Sequence, residues 1–157
     1  MDAQLTRRRM GLALGAFGCA AAQAQTKPQG ISIHHELDYK VAPASIYKVF
    51  LDAKQFAACT GSPASIEPSP GATFKLFDGL IEGRNIELLP DRRIVQAWRP
   101  ASWPAGIYSI VKFEFAARGA GTHIVFDHTG FPEDERQSLD EGWTSHYFEP
   151  LHKYLNA

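Results

Sequence analysis

The chain has 157 residues, is 45% hydrophobic and 21% charged, and carries a formal net charge of −1. That length suits one globular domain, and the composition is ordinary for one. With no long basic run after the first residues, the sequence excludes a dedicated nucleic-acid binder, which needs a basic stripe.

The first 24 residues read as an export signal. Arg7, Arg8 and Arg9 form a charged start, Met10–Ala22 is apolar and rich in Gly and Ala, and Ala22-Gln23-Ala24 is an A-x-A site with cleavage expected after Ala24. The apolar stretch is short for a membrane span, which needs about 20 residues. Thr-Arg-Arg-Arg-Met-Gly resembles a twin-arginine signal, so a destination outside the cytoplasm, periplasmic or secreted, is expected, with a general secretory signal as the alternative route. Cleavage removes Cys19 and leaves Cys59 alone, so no intrachain disulfide is expected. A lone cysteine reads as a small buried hydrophobe.

Gln25–Gly30 is a polar linker, and the domain is expected over residues 31–157. In Ile31–Val41, Ile31, Ile33, His35, Leu37 and Tyr39 alternate with polar residues, the period of a half-buried strand. Pro43 opens a short helix with the apolar stripe Ile46, Tyr47, Val49, Phe50 and Phe56, expected to run through Asp52 and Lys54. Thr60–Pro70 carries three Pro and is expected to be irregular.

Strands follow. Ala72–Asp78 and Leu80–Leu89 flank an Asp78-Gly79 turn, and Gly83 suggests a bulge or bend. Leu89-Pro90-Asp91-Arg92 fits a type I turn into Arg93–Arg99. That strand has Ile94, Gln96 and Trp98 on one side and Val95, Ala97 and Arg99 on the other, so it wants partners on both faces. Ile107–Ala117 and Thr122–Thr129 form a last pair. About six strands with short connections read as an antiparallel sheet. The chain closes on an amphipathic helix with Leu139, Trp143, His146, Tyr147, Pro150, Leu151, Tyr154 and Leu155 at three- and four-residue spacing. Pro150 is expected to kink it or divide it, and Asp134 or Ser138 to cap its start. Strands followed by a terminal helix give an α+β fold: a curved antiparallel sheet wrapped around the C-terminal helix, with a short helix after the first strand.

The sequence resembles the START-like, helix-grip superfamily, and within it the family of the activator of Hsp90 ATPase homologue C-terminal domain. The resemblance rests on Val41–Tyr47, Pro70–Gly79, Ile81-Glu82-Gly83, Glu87–Pro90, Ile94–Arg99, Gly121-Thr122 and Gly142-Trp143, and covers roughly residues 31–155. Cys59 stands where members often have Trp, and Pro70 replaces the first Gly of a usual pair. The resemblance implies the helix-grip fold and a tendency to bind lipids, hormones or polyketides, with cyclisation in some members. The family's eukaryotic namesake stimulates a cytosolic ATPase chaperone, which an exported copy would not meet.

Three functional readings follow. The first is a non-enzymatic module binding a small hydrophobic molecule between sheet and C-terminal helix, or a chaperone-like accessory. Its expected ligand-binding residues are Phe74, Leu76, Gln96, Trp98, Tyr108, Phe113, Phe115, Phe126, Trp143 and Tyr147, because clustered aromatics in a cavity-prone fold line a pocket. The second is a cofactor-free enzyme using the same pocket, with His123 and Asp127 on one face of a strand, or His146, as acid/base. The third is an interaction domain whose cavity is filled by its own side chains. No spacing makes three metal ligands converge, and no cofactor motif is present, so neither a metal nor a cofactor is expected. Glu82, Arg84 and Glu87 read as surface pairs or as contacts to a ligand head group.

Overall fold

A computed structural model describes residues 31–156. The expected signal, its cleavage site at Ala24 and the linker lie outside them. Seven strands form one sheet: β1 Ser32–Tyr39, β2 Ala64–Ile66, β3 Thr73–Leu76, β4 Ile81–Leu89, β5 Arg93–Pro100, β6 Ser109–Arg118 and β7 Gly121–Thr129. Their order is β1-β7-β6-β5-β4-β3-β2, antiparallel throughout. The sheet curves around the C-terminal helical segment, the helix-grip arrangement expected from the sequence.

The six expected strands are present, and a seventh is added. β2 is a three-residue edge strand inside the Pro-rich stretch, paired with β3 between Pro63 and Pro68. Proline is tolerated there because an edge strand leaves one row of N–H groups unpaired. β4 bulges between Asn85 and Glu87, not at Gly83. Gly83 keeps regular register opposite Trp98 because the Phe74 ring and the Ala97 carbonyl leave no room for a Cβ. Asp91 has φ +60°, so Leu89–Arg92 is a type II turn rather than the expected type I.

The short helix is two helices. α1 Pro43–Leu51 starts with Pro43 in its first turn, and α2 Ala53–Thr60 follows. Asp52 between them is extended, and its carboxylate accepts the Lys54 and Gln55 N–H groups, so the residue that ends α1 also caps α2. Ile46, Val49, Phe50 and Phe56 face the core as expected, Leu51 joins them, and Tyr47 is only half-buried.

The C-terminal segment is likewise divided. A 3₁₀ turn Glu133–Glu135 leads into α3 Arg136–Trp143, a π-helical turn Thr144–Phe148, and α4 Glu149–Leu155. Neither Asp134 nor Ser138 caps it: no side-chain cap bond is made, and Ser138 lies inside α3. Pro150 has no N–H to give the His146 carbonyl, and the Glu149 N–H reaches five residues back to Thr144. The wider turn buries consecutive Tyr147 and Phe148 along with Leu139, Trp143 and Leu151, while His146 stays exposed.

The core sits between this segment and the concave face of the sheet. Trp143 is its hub. Its ring centroid lies 4.5 Å from Phe126, 5.4 Å from Trp98, 6.0 Å from Phe113 and 4.2 Å from Tyr147. Each such side chain, fully buried, contributes roughly 1.5–3 kcal/mol. α2 packs on α4, and α1 on β6.

Candidate functional site

The alternation of β5 and β7 decides which groups reach the concave side. Ile94, Gln96 and Trp98 point in, as do Ile124, Phe126 and His128. Trp98 is then met by Trp143 and Tyr147, which share one face of the terminal segment at four-residue spacing. Beside them the β3–β4 turn brings Phe77 and Leu80. Together with Leu139 these side chains wall a cleft of about 620 Å³ between α3, the π turn and the β3–β4 end of the sheet. Asp78, Glu135 and His146 stand at its polar lining.

One wall is strained. Phe77 and Asp78 have φ +53° and +55°. That region disfavours a bulky residue, and the conformation is held by contacts of the Phe77 ring with Tyr147 at 5.0 Å and Phe56 at 5.4 Å. Alternation along β3 gives no hint of this, because Phe77 lies in the turn beyond the strand.

A directed hydrogen-bond chain runs through the core from Trp143 to Trp98, both residues of the cleft wall. The Trp143 indole N–H donates to His128 Nδ1 at 2.9 Å, His128 Nε2 donates to Ser109 Oγ at 2.7 Å, and that hydroxyl donates to the Trp98 carbonyl at 2.8 Å. Indole can only donate, which fixes the neutral tautomer with its proton on Nε2. Burial pushes the imidazole down to about 3, in agreement. Both ring nitrogens are occupied, so His128 has no lone pair for a substrate proton. It is a buried structural link that fastens β7, β6 and α3 together.

The Trp98 indole N–H and the Tyr147 hydroxyl are buried neighbours on the cleft wall, 3% and 6% exposed, and neither makes a well-formed hydrogen bond to a third group. Burial raises the Tyr147 hydroxyl above its usual range, and its hydrogen bond with the Trp98 indole N–H lowers it by less.

Of the residues the sequence nominates, Trp98, Trp143, Tyr147 and His146 line the cleft. Phe113 and Phe126 lie behind Trp143, and Phe115 packs with Phe50 and Tyr47. Phe74 and Leu76 are buried in the core outside the cleft wall. Gln96 donates to Asn85 Oδ1 at 3.0 Å, which commits its amide. Tyr108 is 47% exposed and lies beneath the Arg99 guanidinium, 5.6 Å from it. His123 and Asp127 share a face, as expected, but do not form an acid/base pair. His123 bonds Asp38 at 3.0 Å; Asp127 bonds His34 at 2.7 Å and Lys112 at 3.1 Å. Cross-strand register explains the exchange, since Asp38 lies opposite His123 and His34 opposite Asp127. That face is the outer one, away from the cleft. Glu82 pairs with Arg99, Arg84 donates to the Gly71 carbonyl, and Glu87 pairs with Arg93. Cys59 is half-buried, and burial pushes its thiol up to about 11.

The family profile described as "Activator of Hsp90 ATPase homolog 1-like protein" matches residues 40–156. The chain belongs to this family. Human activator of 90 kDa heat shock protein ATPase homolog 1 is 29% identical over 137 residues, 84% of this chain and 40% of that protein. The homologue from Dictyostelium discoideum is 33% identical, over 74% of this chain and 31% of its own length. The family member thus spans well under half the length of these curated relatives. The crystal structure of an HSP90 activator from Plasmodium falciparum superposes with a TM-score of 0.76 at 26% identity, covering 81% of this chain and 97% of that one. The Aha1 dimer from Colwellia psychrerythraea shares the fold at 17% identity and a TM-score of 0.68, over 80% and 96% of the two chains. The helix-grip fold of the family supports a ligand-binding or chaperone-accessory role in general terms.

Proposed function

We propose that this protein is an exported binding module that holds a small apolar molecule in the cleft beside Trp98, Trp143 and Tyr147. The observation that carries the reading is the cleft itself. It is open space of about 620 Å³, walled mainly by aromatic and aliphatic side chains, in a molecule whose remaining aromatics pack tightly. Apolar burial supplies the affinity there, at roughly 25 cal/mol per Å² before the costs of association. A strained Phe77 on the wall agrees with a functional rather than a purely structural turn. The relatives' printed names describe activators of a chaperone ATPase, and export separates this chain from a cytosolic partner. The small-molecule reading therefore takes precedence over the accessory one.

Gly142 provides the test. It lines the cleft, and a Cβ built there meets no atom within 4 Å. Gly142→Leu is expected to fill the cleft without strain and to gain helix propensity of about 0.5–1 kcal/mol. An environment-sensitive apolar dye should bind the parent protein, and binding should fall at least about ten-fold in the variant, in line with loss of a buried apolar contact. Native mass spectrometry of protein from its own host should show an added small mass. Absence of dye binding to the parent protein, or equal binding to both proteins, rules the cleft out as the site.

A further inference from the structure

The charge of the lining narrows the ligand, taking the cleft as the binding site argued above. Trp98, Trp143, Tyr147 and Phe77 give the cleft an aromatic wall. Its carboxylates are Asp78 and Glu135; no Lys or Arg lines it, and the His146 imidazole is its one basic group. The two carboxylates come from different elements. Asp78 stands in the β3–β4 turn, and Glu135 ends the 3₁₀ turn before α3. Neither makes an ion pair among the described residues. Lys75 and Arg136 are the basic residues nearest to them in sequence, yet neither reaches ion-pair distance; Lys75 leaves β3 on the outer face and flanks Asp78 from a neighbouring shallow groove. Arg99, beside Trp98 on β5, points to the opposite face and is held by Glu82.

Local structure accounts for only part of this. An acid before a helix N-terminus is favoured by the helix dipole, which suits Glu135. Asp78 has φ +55°, a position that Asn fills as readily as Asp, so the turn does not require its charge. An aromatic wall with carboxylates on two elements is the complement of an apolar cation. A positive group is attracted by the faces of aromatic rings, whereas an anion would meet like charge beside walls that weaken screening. We propose that the cleft takes a small apolar amine, its body packed against Trp98, Trp143 and Tyr147 and its ammonium group held at the mouth by Asp78 and Glu135.

A matched set of probes tests this: 2-ethylnaphthalene, 2-(aminomethyl)naphthalene and 2-naphthoate, of similar shape but neutral, cationic and anionic. Titrations followed by NMR at pH 8 give the three dissociation constants. The amine should bind about five- to ten-fold tighter than the ethyl compound, the combined worth of exposed ion pairs and a ring contact, and naphthoate should bind weakest. The amine's advantage should shrink in about 1 M salt, which screens exposed charges. Asp78→Asn keeps a residue suited to its backbone and Glu135→Gln keeps the side-chain length, so both variants should fold normally. Each should weaken amine binding about two- to three-fold and leave 2-ethylnaphthalene unchanged; the double variant should bind the amine and the ethyl compound alike. Equal affinity for these two compounds in the parent protein overturns the cationic assignment and leaves the apolar cleft standing, as does tightest binding by naphthoate. An amine advantage untouched by salt or by the double variant overturns the role of Asp78 and Glu135. Binding of none of the three, or binding that survives Gly142→Leu, overturns this inference and the cleft reading together.

Discussion

His128 shows how burial decides what a titratable residue can do. In sequence it is one of two histidines on a strand beside an aspartate, and its chemistry is open. In the fold its two nitrogens are used by Trp143 and Ser109, and burial lowers it to about 3 from the usual 6.5. The sign of the consequence follows from linkage. Between those two values the unfolded chain binds a proton that the folded protein refuses, so this contribution to stability is complete above pH 6.5 and is lost as pH falls toward 3. The loss approaches roughly 1.4 kcal/mol per pH unit. Urea denaturation from pH 7.5 to 4 should reveal it as a falling midpoint. His128→Gln, whose amide can accept from Trp143 and donate to Ser109, should flatten that part of the profile. An equally steep profile in the variant would assign the acid sensitivity to other groups.

At the scale of elements, both helical regions are divided where one continuous helix reads naturally from the sequence. The physical cause differs. Asp52 ends α1 by adopting an extended backbone and then caps α2, whereas Pro150 removes a hydrogen-bond donor and the chain widens into a π turn. The first break is a local capping interaction with a clear expectation. Asp52→Ala should lower the melting temperature by a few degrees and Asp52→Asn should preserve it, because asparagine caps as well as aspartate. Equal losses in both variants would show that the charge, not the cap, matters. The second break lies at the site: the π turn carries Tyr147, which packs beside Trp143 on the cleft wall, and Phe148, which packs on Phe126. π turns of this kind are frequent at functional sites.

For the whole molecule, one core joins the sheet to both helical regions, and Cys59 is the sole cysteine among the described residues. Folding of the described residues thus needs no disulfide, which is compatible with the proposed export in a folded state. The proposed twin-arginine route makes that a testable statement. Arg7→Lys, Arg8→Lys and Arg9→Lys, singly and together, should cause folded precursor to accumulate inside the cell, as seen by fractionation and protease resistance. Unchanged export in the combined variant would assign the general secretory route. No helix among the described residues is long and apolar enough to cross a membrane.

Periodicity in the sequence determined much of this protein. Period two placed Ile33, Trp98 and Phe126 inward, period 3.6 placed Leu139, Trp143 and Leu151 against them, and the order of elements gave the helix-grip fold. These are local signals, because each strand or helix must bury its own apolar face. Other features belong to the tertiary structure alone. Trp98, Trp143, Tyr147 and His146 line the cleft, while Phe74, Gln96, Phe113 and Phe115, equally apt by residue type, are packed or bonded elsewhere. Phe77 joins the wall only because distant contacts hold its backbone in an unfavourable region. His123 meets Asp38 rather than Asp127 because β1 pairs with β7 in one register. A side chain's direction can be read along its own strand, but its neighbour is fixed only when another part of the chain arrives.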